Sequence, residues 1–234
     1  VGVLIGIASG LLGIGGGTVM VPIFRLAFGM SATMSTATSL FAIIPTSISG
    51  AISHVKGKTC IPALGIAAGL GGACLSPVGV WLAQLSPDWL VMLAAALIIG
   101  YSAINMFKKA FKVPRAGQPA EGADAAAPTA DDSSLSRKQL LQGAAIGLVA
   151  GLASGYVGVG GGFIMVPLML SIIGIPMRKA SGTSLIAVMI LAIPGVIEQG
   201  IIGNINYLAG IAVVIGTIPG AVIGARLVTK VPER

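Results

Sequence analysis

Two runs hold the residues best suited to chemistry in this chain: SGLLGIGGG at 9–17 and SGYVGVGGG at 154–162. Glycine lets a backbone come close to a ligand. Where a helix breaks and restarts, the N–H groups of the new first turn lack acceptors and carry partial positive charge, which suits an anion. The candidate ligands are the backbones of Gly13, Gly15, Gly16, Gly17, Gly158, Gly160, Gly161 and Gly162, with the Ser9 and Ser154 hydroxyls just ahead of them. Thr38, Ser39, Thr183 and Ser184 follow the two runs and could add hydroxyls to an oxyanion. Serine and threonine in apolar helices often bond only the preceding turn, however, and glycines there can serve close helix packing instead. A dinucleotide fingerprint fails on spacing, because its third glycine would fall on Thr18 or Phe163.

The segments that must position these residues are apolar. The chain is 55% hydrophobic and 9% charged, with a mean hydropathy of +0.99, whereas a soluble domain carries about 25% charged residues. Residues 61–85 and 89–107 form uncharged stretches of 25 and 19 residues, close to the roughly 20 that cross a hydrocarbon core. The expected class is an all-α polytopic membrane protein. The net charge of +7 does not point to nucleic acid, because most Lys and Arg residues lie in short connections, as membrane orientation requires. Lipid cannot satisfy the backbone groups that a broken helix exposes, so such a break must be buried in protein or line a polar cavity.

The glycine run is one half of a duplication. GIASGLLGIGGGTVMVP at 6–22 returns as GLASGYVGVGGGFIMVP at 151–167, with 11 of 17 positions identical at an offset of 145. The same offset pairs Thr38-Ser39-Leu40 with Thr183-Ser184-Leu185, Gly50 with Gly195, and Gly79 with Gly224. Broken helices at matching positions of two repeats point to a transporter's central binding site. The repeat also predicts that the complete protein extends past both ends, since 89–107 would find its partner after Arg234 and 137–145 its partner before Val1. The last transmembrane helix and the first residues are therefore expected to be missing here.

Three segments follow: a first transmembrane repeat at 1–112, a linker at 113–136, and a truncated second repeat at 137–234. The linker is rich in Ala, Pro, Gly and Ser, reads as disordered, and is flanked or entered by Lys108, Lys109, Lys112, Arg115, Arg137 and Lys138. Positive charge places it in the cytoplasm. Working outward, Lys56, Lys58, Arg178, Lys179, Arg226 and Lys230 all lie inside only if 140–173 enters and leaves on one side. Two short helical pieces meeting at the glycines satisfy that, and the repeats are then inverted relative to each other.

Twin SGxxGxGGGxxxVP segments, each followed by a Thr-Ser-Leu helix, resemble the sulfite exporter TauE/SafE family of membrane permeases. The resemblance covers the chain apart from the linker. It implies transport of sulfite, sulfoacetate or other organosulfonates, commonly outward, across a prokaryotic-type cell membrane. It supplies no substrate residues, so the site rests on the physical reading.

The remaining polar residues are given quieter roles. Glu198 reads as a solvated interfacial group, His54 as a surface cap at a helix end, Arg25 as a side chain snorkelling to the interface, and Cys60 and Cys74 as packing residues. There is no HExxH, no GxSxG and no ATP signature, and one His with two Cys makes no metal cluster. Neither an enzyme nor a resident cofactor or metal is expected. Uphill transport would then need a coupling ion, H+ or Na+, or an outside partner. The expected function is a secondary permease for small sulfur-containing anions. An anion channel of the same architecture, and a carrier of a non-sulfur anion, stay open.

Overall fold

The computed structural model describes residues 2–13, 15–111 and 136–230, and for 102, 103, 105–111 and 228–230 the backbone only. The linker expected at 113–136 lies outside the described residues except for Ser136. The elements are α1 (Gly2–Leu12), α2 (Gly17–Ala27), α3 (Ala32–Lys56), α4 (Pro62–Leu85), α5 (Asp88–Phe111), α6 (Arg137–Val157), α7 (Gly162–Leu168), α8 (Met177–Ile202) and α9 (Tyr207–Lys230). A π-helical turn at Met169–Ile173 continues α7. No strand occurs among the described residues.

Helices α3, α4, α6, α8 and α9 are each long and apolar enough to cross a membrane. Helices α1 and α2 have 11 residues each, about 16 Å at 1.5 Å per residue and so about half a hydrocarbon core. Local chemistry sets several boundaries. The Ser31 hydroxyl accepts the Met34 N–H at the start of α3. At the start of α6, Ser136 and Gln139 form a reciprocal capping box.

Small-residue stripes fix how the helices pair. On α6, Gly143, Gly147, Gly151 and Gly155 lie against Leu64, Ala68, Gly72 and Ser76 of α4. On α1, Gly2, Gly6 and Gly10 lie against Gly216, Gly220 and Ala225 of α9. Residue numbers rise together in both pairs, so both are parallel. Without a hydrophobic drive inside lipid, such close backbone approach is what holds helices together.

The pairing crosses the sequence repeats. Helix α4 of the first repeat joins α6 of the second, and α9 of the second joins α1 of the first. Helix α8 runs parallel to α4, with Ile186 at Gly65 and Ile190 at Gly69. Helix α3 runs parallel to α9, where Thr46 and Thr217 share a 2.6 Å hydrogen bond. Two bundles result, α1/α3/α9 and α4/α6/α8. They meet along α3 and α8, which are antiparallel because Leu40 lies at Gly195 and Leu185 at Gly50.

Helices α3 and α8 are equivalents at the 145-residue offset, so the equivalent helices run in opposite directions. The starts of α4, α6 and α8 share one end of the molecule, which also carries Lys56, Lys58, Arg137, Arg178 and Lys179. The run 140–173 therefore enters and leaves at that end, as the charges predict. The opposite end carries Asp88, whose carboxylate accepts the Ala32 N–H at 3.2 Å.

Two equivalent threonines tie the bundles internally. Thr38 Oγ1 accepts the Asn206 N–H at 3.0 Å ahead of α9, and Thr183 Oγ1 accepts the Ile61 N–H at 2.9 Å ahead of α4. Valine has the same shape but would strand that buried donor, at a cost of about 1–3 kcal/mol. Thr38→Val and Thr183→Val should each lower the unfolding temperature of the purified protein by a similar amount.

Candidate functional site

The two breaks have matching backbones. Gly13, Gly15 and Gly16 have φ of 71°, 78° and 80°, and their equivalents Gly158, Gly160 and Gly161 have 72°, 86° and 58°. That left-handed region costs other L-residues roughly 1–2 kcal/mol each. The glycines just before each break, Gly6 and Gly10 or Gly151 and Gly155, serve the helix pairing instead. The glycines thus divide between the left-handed turn of the break and the helix pairing before it.

The breaks meet at the centre. A Cβ placed on Gly17 would lie 2.5 Å from the Val159 carbonyl oxygen, so backbone touches backbone there. Ile43 of α3 fills the crossing, with its side chain against Gly15, Gly17 and Gly160. Val188, its repeat equivalent on α8, lies against Gly15. Both side chains are fully buried.

Two buried hydroxyls without a partner among the described residues, those of Ser9 and Ser47, lie beside the first break. Helix α2 restarts at Gly17 with Gly16 as N-cap and no side-chain cap bond; the Val19 amide donates to the Gly16 carbonyl at 3.2 Å, and the amides ahead of it have no acceptor within the helix. The hydroxyls of Ser9, Ser39, Ser47 and Ser154 are buried and have no partner among the described residues. Ser47 Oγ lies 3.6 Å from the Cβ position of Gly15, and Ser9 Cβ lies 3.6 Å from that of Gly16. Ser154 lines a cavity of about 10 Å³ together with Val159, Gly161 and Ile164, about the size of one water. The crossing is packed shut, with Ile43 as the plug.

Other expected ligands lie elsewhere or have other duties. Gly13 packs against Ser181 of α8, and Gly158 against Thr36 of α3. Ser184 Oγ donates to the carbonyls of Gly13 at 2.8 Å and Ser181 at 2.9 Å, so it props the first break. Thr38 and Thr183 are engaged at the helix starts described above. Gly162 opens α7. Sequence reasoning missed Ile43, Val188 and Ser47. The signal was present, because Ser39, Ile43 and Ser47 recur at four-residue steps along one face of α3.

Two quieter expectations, for His54 and Cys74, need correction. His54 is not a surface cap: it is fully buried, with Nε2 2.9 Å from the Gly10 carbonyl and Nδ1 2.7 Å from Thr59 Oγ1. The end of α3 is covered by α1 and by the start of α8, which a local reading does not show. Cys60 does pack, against the cluster of Ala51, Leu185 and Ile186, but Cys74 is exposed on α4. Glu198 is half-buried near the end of α8, its Oε2 without a partner among the described residues. Arg25 does reach an exposed surface, donating to the Met30 carbonyl at 2.7 Å and lying 3.7 Å from Asp88. Among the described residues no cluster of metal-ligating side chains occurs.

The family model for the sulfite exporter TauE/SafE matches residues 1–234. The chain belongs to that family. It is 27% identical over 249 residues to the probable membrane transporter protein YunE of Bacillus subtilis, covering 100% of this chain and 88% of that protein. It is 28% identical over 231 residues to the probable membrane transporter protein YdhB of the same organism, covering 98% and 89%. A third relative, "Sulfite exporter TauE/SafE family protein 3" of Arabidopsis thaliana, is 28% identical over 142 residues, 58% of this chain and 26% of that protein. No solved structure matches the chain. The protein is a multi-pass membrane transporter of this family.

Proposed function

We propose that the protein is a secondary carrier for small sulfur-containing anions, sulfite or an organosulfonate such as sulfoacetate, bound where the two breaks cross. One observation carries the reading: the uncapped start of α2 faces the second break, with unpartnered buried hydroxyls beside it. Amides and hydroxyls are donors, and a small oxyanion is a cluster of acceptors that replaces its hydration with them. The family membership and the printed name of the Arabidopsis relative favour sulfur oxyanions as cargo.

The packing suits alternating access. The bodies that rock are the two mixed bundles, α1/α3/α9 and α4/α6/α8, because glycine-to-glycine contact and the threonine ties hold each together. The seam between them, along α3 and α8, carries Ile43 and Val188. Rocking that draws these two side chains aside opens the crossing to one end of the molecule at a time.

The test is counterflow in proteoliposomes. Vesicles loaded with sulfite should take up labelled sulfite saturably, in exchange, with sulfoacetate competing and cations having no effect. A channel of this architecture would show flux without exchange acceleration. Ser47→Ala removes one donor and little volume, so it should raise the half-saturating sulfite concentration about 10-fold, the worth of a charge-assisted hydrogen bond. Flux selective for cations would sink the reading.

A further inference from the structure

We infer that His54 is the protonation site that couples this carrier to protons. The inference rests on the carrier reading above and adds to it the coupling ion and its residue. It starts from geometry at the seam between the two bundles. His54 lies on α3, and three elements close on its ring: α1 through the Gly10 carbonyl, the α3–α4 loop through Thr59, and α8 through Gly182, whose Cβ position lies 3.0 Å from His54 Cβ. Gly10 stands in the last turn of α1, three residues before the left-handed Gly13 that starts the break. The imidazole therefore joins a helix end at the anion site to the loop that leads into the other bundle.

The hydrogen bonds suit two protonation states. A carbonyl oxygen only accepts, so Nε2 carries a proton towards Gly10 in either state. Nδ1 faces a hydroxyl, which can donate or accept. In the neutral ring the Thr59 hydroxyl donates to Nδ1 at 2.7 Å. In the cation Nδ1–H donates to Thr59 Oγ1, and the hydroxyl proton turns to its second acceptor, the His54 carbonyl at 3.2 Å. A second proton is thus gained at Nδ1 with no hydrogen bond lost, although the ring is fully buried. Thr59 follows the exposed Lys58 in the loop at the lysine-rich end, so its hydroxyl is also the short relay through which that proton arrives.

The charges around the ring tie its proton to the anion. Arg178 of α8 stands one turn before Gly182, and its Nε is buried without a partner among the described residues. Lys56 and Lys58 on the same turn and Arg226 at the same end of α9 are exposed, and α1 brings no charged side chain. Among the described residues a cationic ring thus faces cations and no carboxylate. An anion entering the crossing two helical turns away, beside Ser47, offsets that repulsion, and by linkage the proton favours the anion equally. The equivalent of His54 is Gln199, also fully buried, at the opposite end of the seam. It accepts from Asn204 Nδ2 at 2.9 Å and cannot titrate, so the imidazole has no titrating counterpart at its repeat-equivalent position.

Gln199 also supplies the test, since His54→Gln places at one end the residue that the other end already uses. Proteoliposomes of the full chain, wild type and His54→Gln side by side, are assayed for sulfite counterflow at equal pH and for accumulation under a pH gradient. The pairing cancels the protonation of sulfite itself. Expected is counterflow within about twofold of wild type and a loss of at least tenfold in gradient-driven accumulation, with the pH profile flattened. Accumulation and pH profile equal to wild type overturn the proposal. As the chain holds a single histidine, isotope-labelled imidazole gives one NMR signal in nanodiscs. That signal should shift on protonation, at higher pH when sulfite is present. If the wild type exchanges no sulfite, the carrier reading falls, and the signal alone decides the rest. A ring whose signal never titrates while the protein stays folded, or one whose protonation leaves the Gly10 carbonyl signal unmoved, overturns it.

Discussion

Gly147→Leu is expected to prevent the protein from folding, whereas Gly100→Leu should leave it intact. Both glycines lie in apolar helices, and a scale of helix propensity or hydropathy favours leucine at each. They differ in what a side chain would meet. A Cβ on Gly147 would collide with the backbone of Ala68, where α6 lies against α4. Backbone cannot turn aside as a rotamer does, so the two helices must separate. That pair holds one whole bundle, and separating it removes the contacts of Gly143, Gly151 and Gly155 as well. The cost exceeds about 4 kcal/mol, the range reserved for disrupted packing, against a total stability of about 5–15 kcal/mol. A Cβ on Gly100 of α5 meets nothing within 4 Å. Fluorescence-detected size-exclusion chromatography should show a monodisperse peak for Gly100→Leu and loss of that peak for Gly147→Leu. Gly147→Ala should fall between them. Equal yields for the two leucine variants would mean that α4 and α6 are not packed backbone to backbone.

How much of this was legible in the sequence depends on distance along the chain. The broken centre is visible because glycine tolerates left-handed backbone, and the duplication marks the same positions twice. The inversion is visible because Lys and Arg sort to one side, and only a run that turns back satisfies both halves. What the sequence hides are partners that only the fold brings together. Thr38 is engaged 168 residues away and Thr183 122 residues away, so two hydroxyls read as substrate ligands tie helix starts instead. His54 reads as a surface group because its neighbours in sequence are Lys56 and Lys58, while the carbonyl that buries it belongs to Gly10. Nor does the repeat boundary show which helices move together. The small-residue stripes of α4 and α6 match each other across that boundary, and the bundles follow the stripes.

Gly17→Ala is expected to reduce sulfite counterflow on the order of 100-fold while the protein stays folded, the size of loss that a misplacement of about 1 Å produces at a binding centre. The added methyl would lie 2.5 Å from the Val159 carbonyl oxygen and 2.7 Å from Ile43 Cδ1. Ile43 can adjust, but the carbonyl belongs to the second break, so the start of α2 must draw back from the crossing. Its amides then no longer face the crossing beside which Ser9 and Ser47 lie. Gly16→Ala acts differently: its contacts are Ile5 Cγ2 at 3.1 Å and Met20 Cε at 3.2 Å, both side-chain ends, so strain at φ 80° dominates. That strain is about 1–2 kcal/mol, and flux should fall less. Gly29→Ala separates strain from site, since Gly29 has φ 63° and nothing within 4 Å of its Cβ position. It should lose similar stability and no flux. If all three variants exchange sulfite at the wild-type rate, the glycines serve only the chain's turns and the anion binds elsewhere. If only Gly17→Ala fails, with its unfolding temperature within a few degrees of Gly29→Ala, the crossing of the two breaks is where the anion sits.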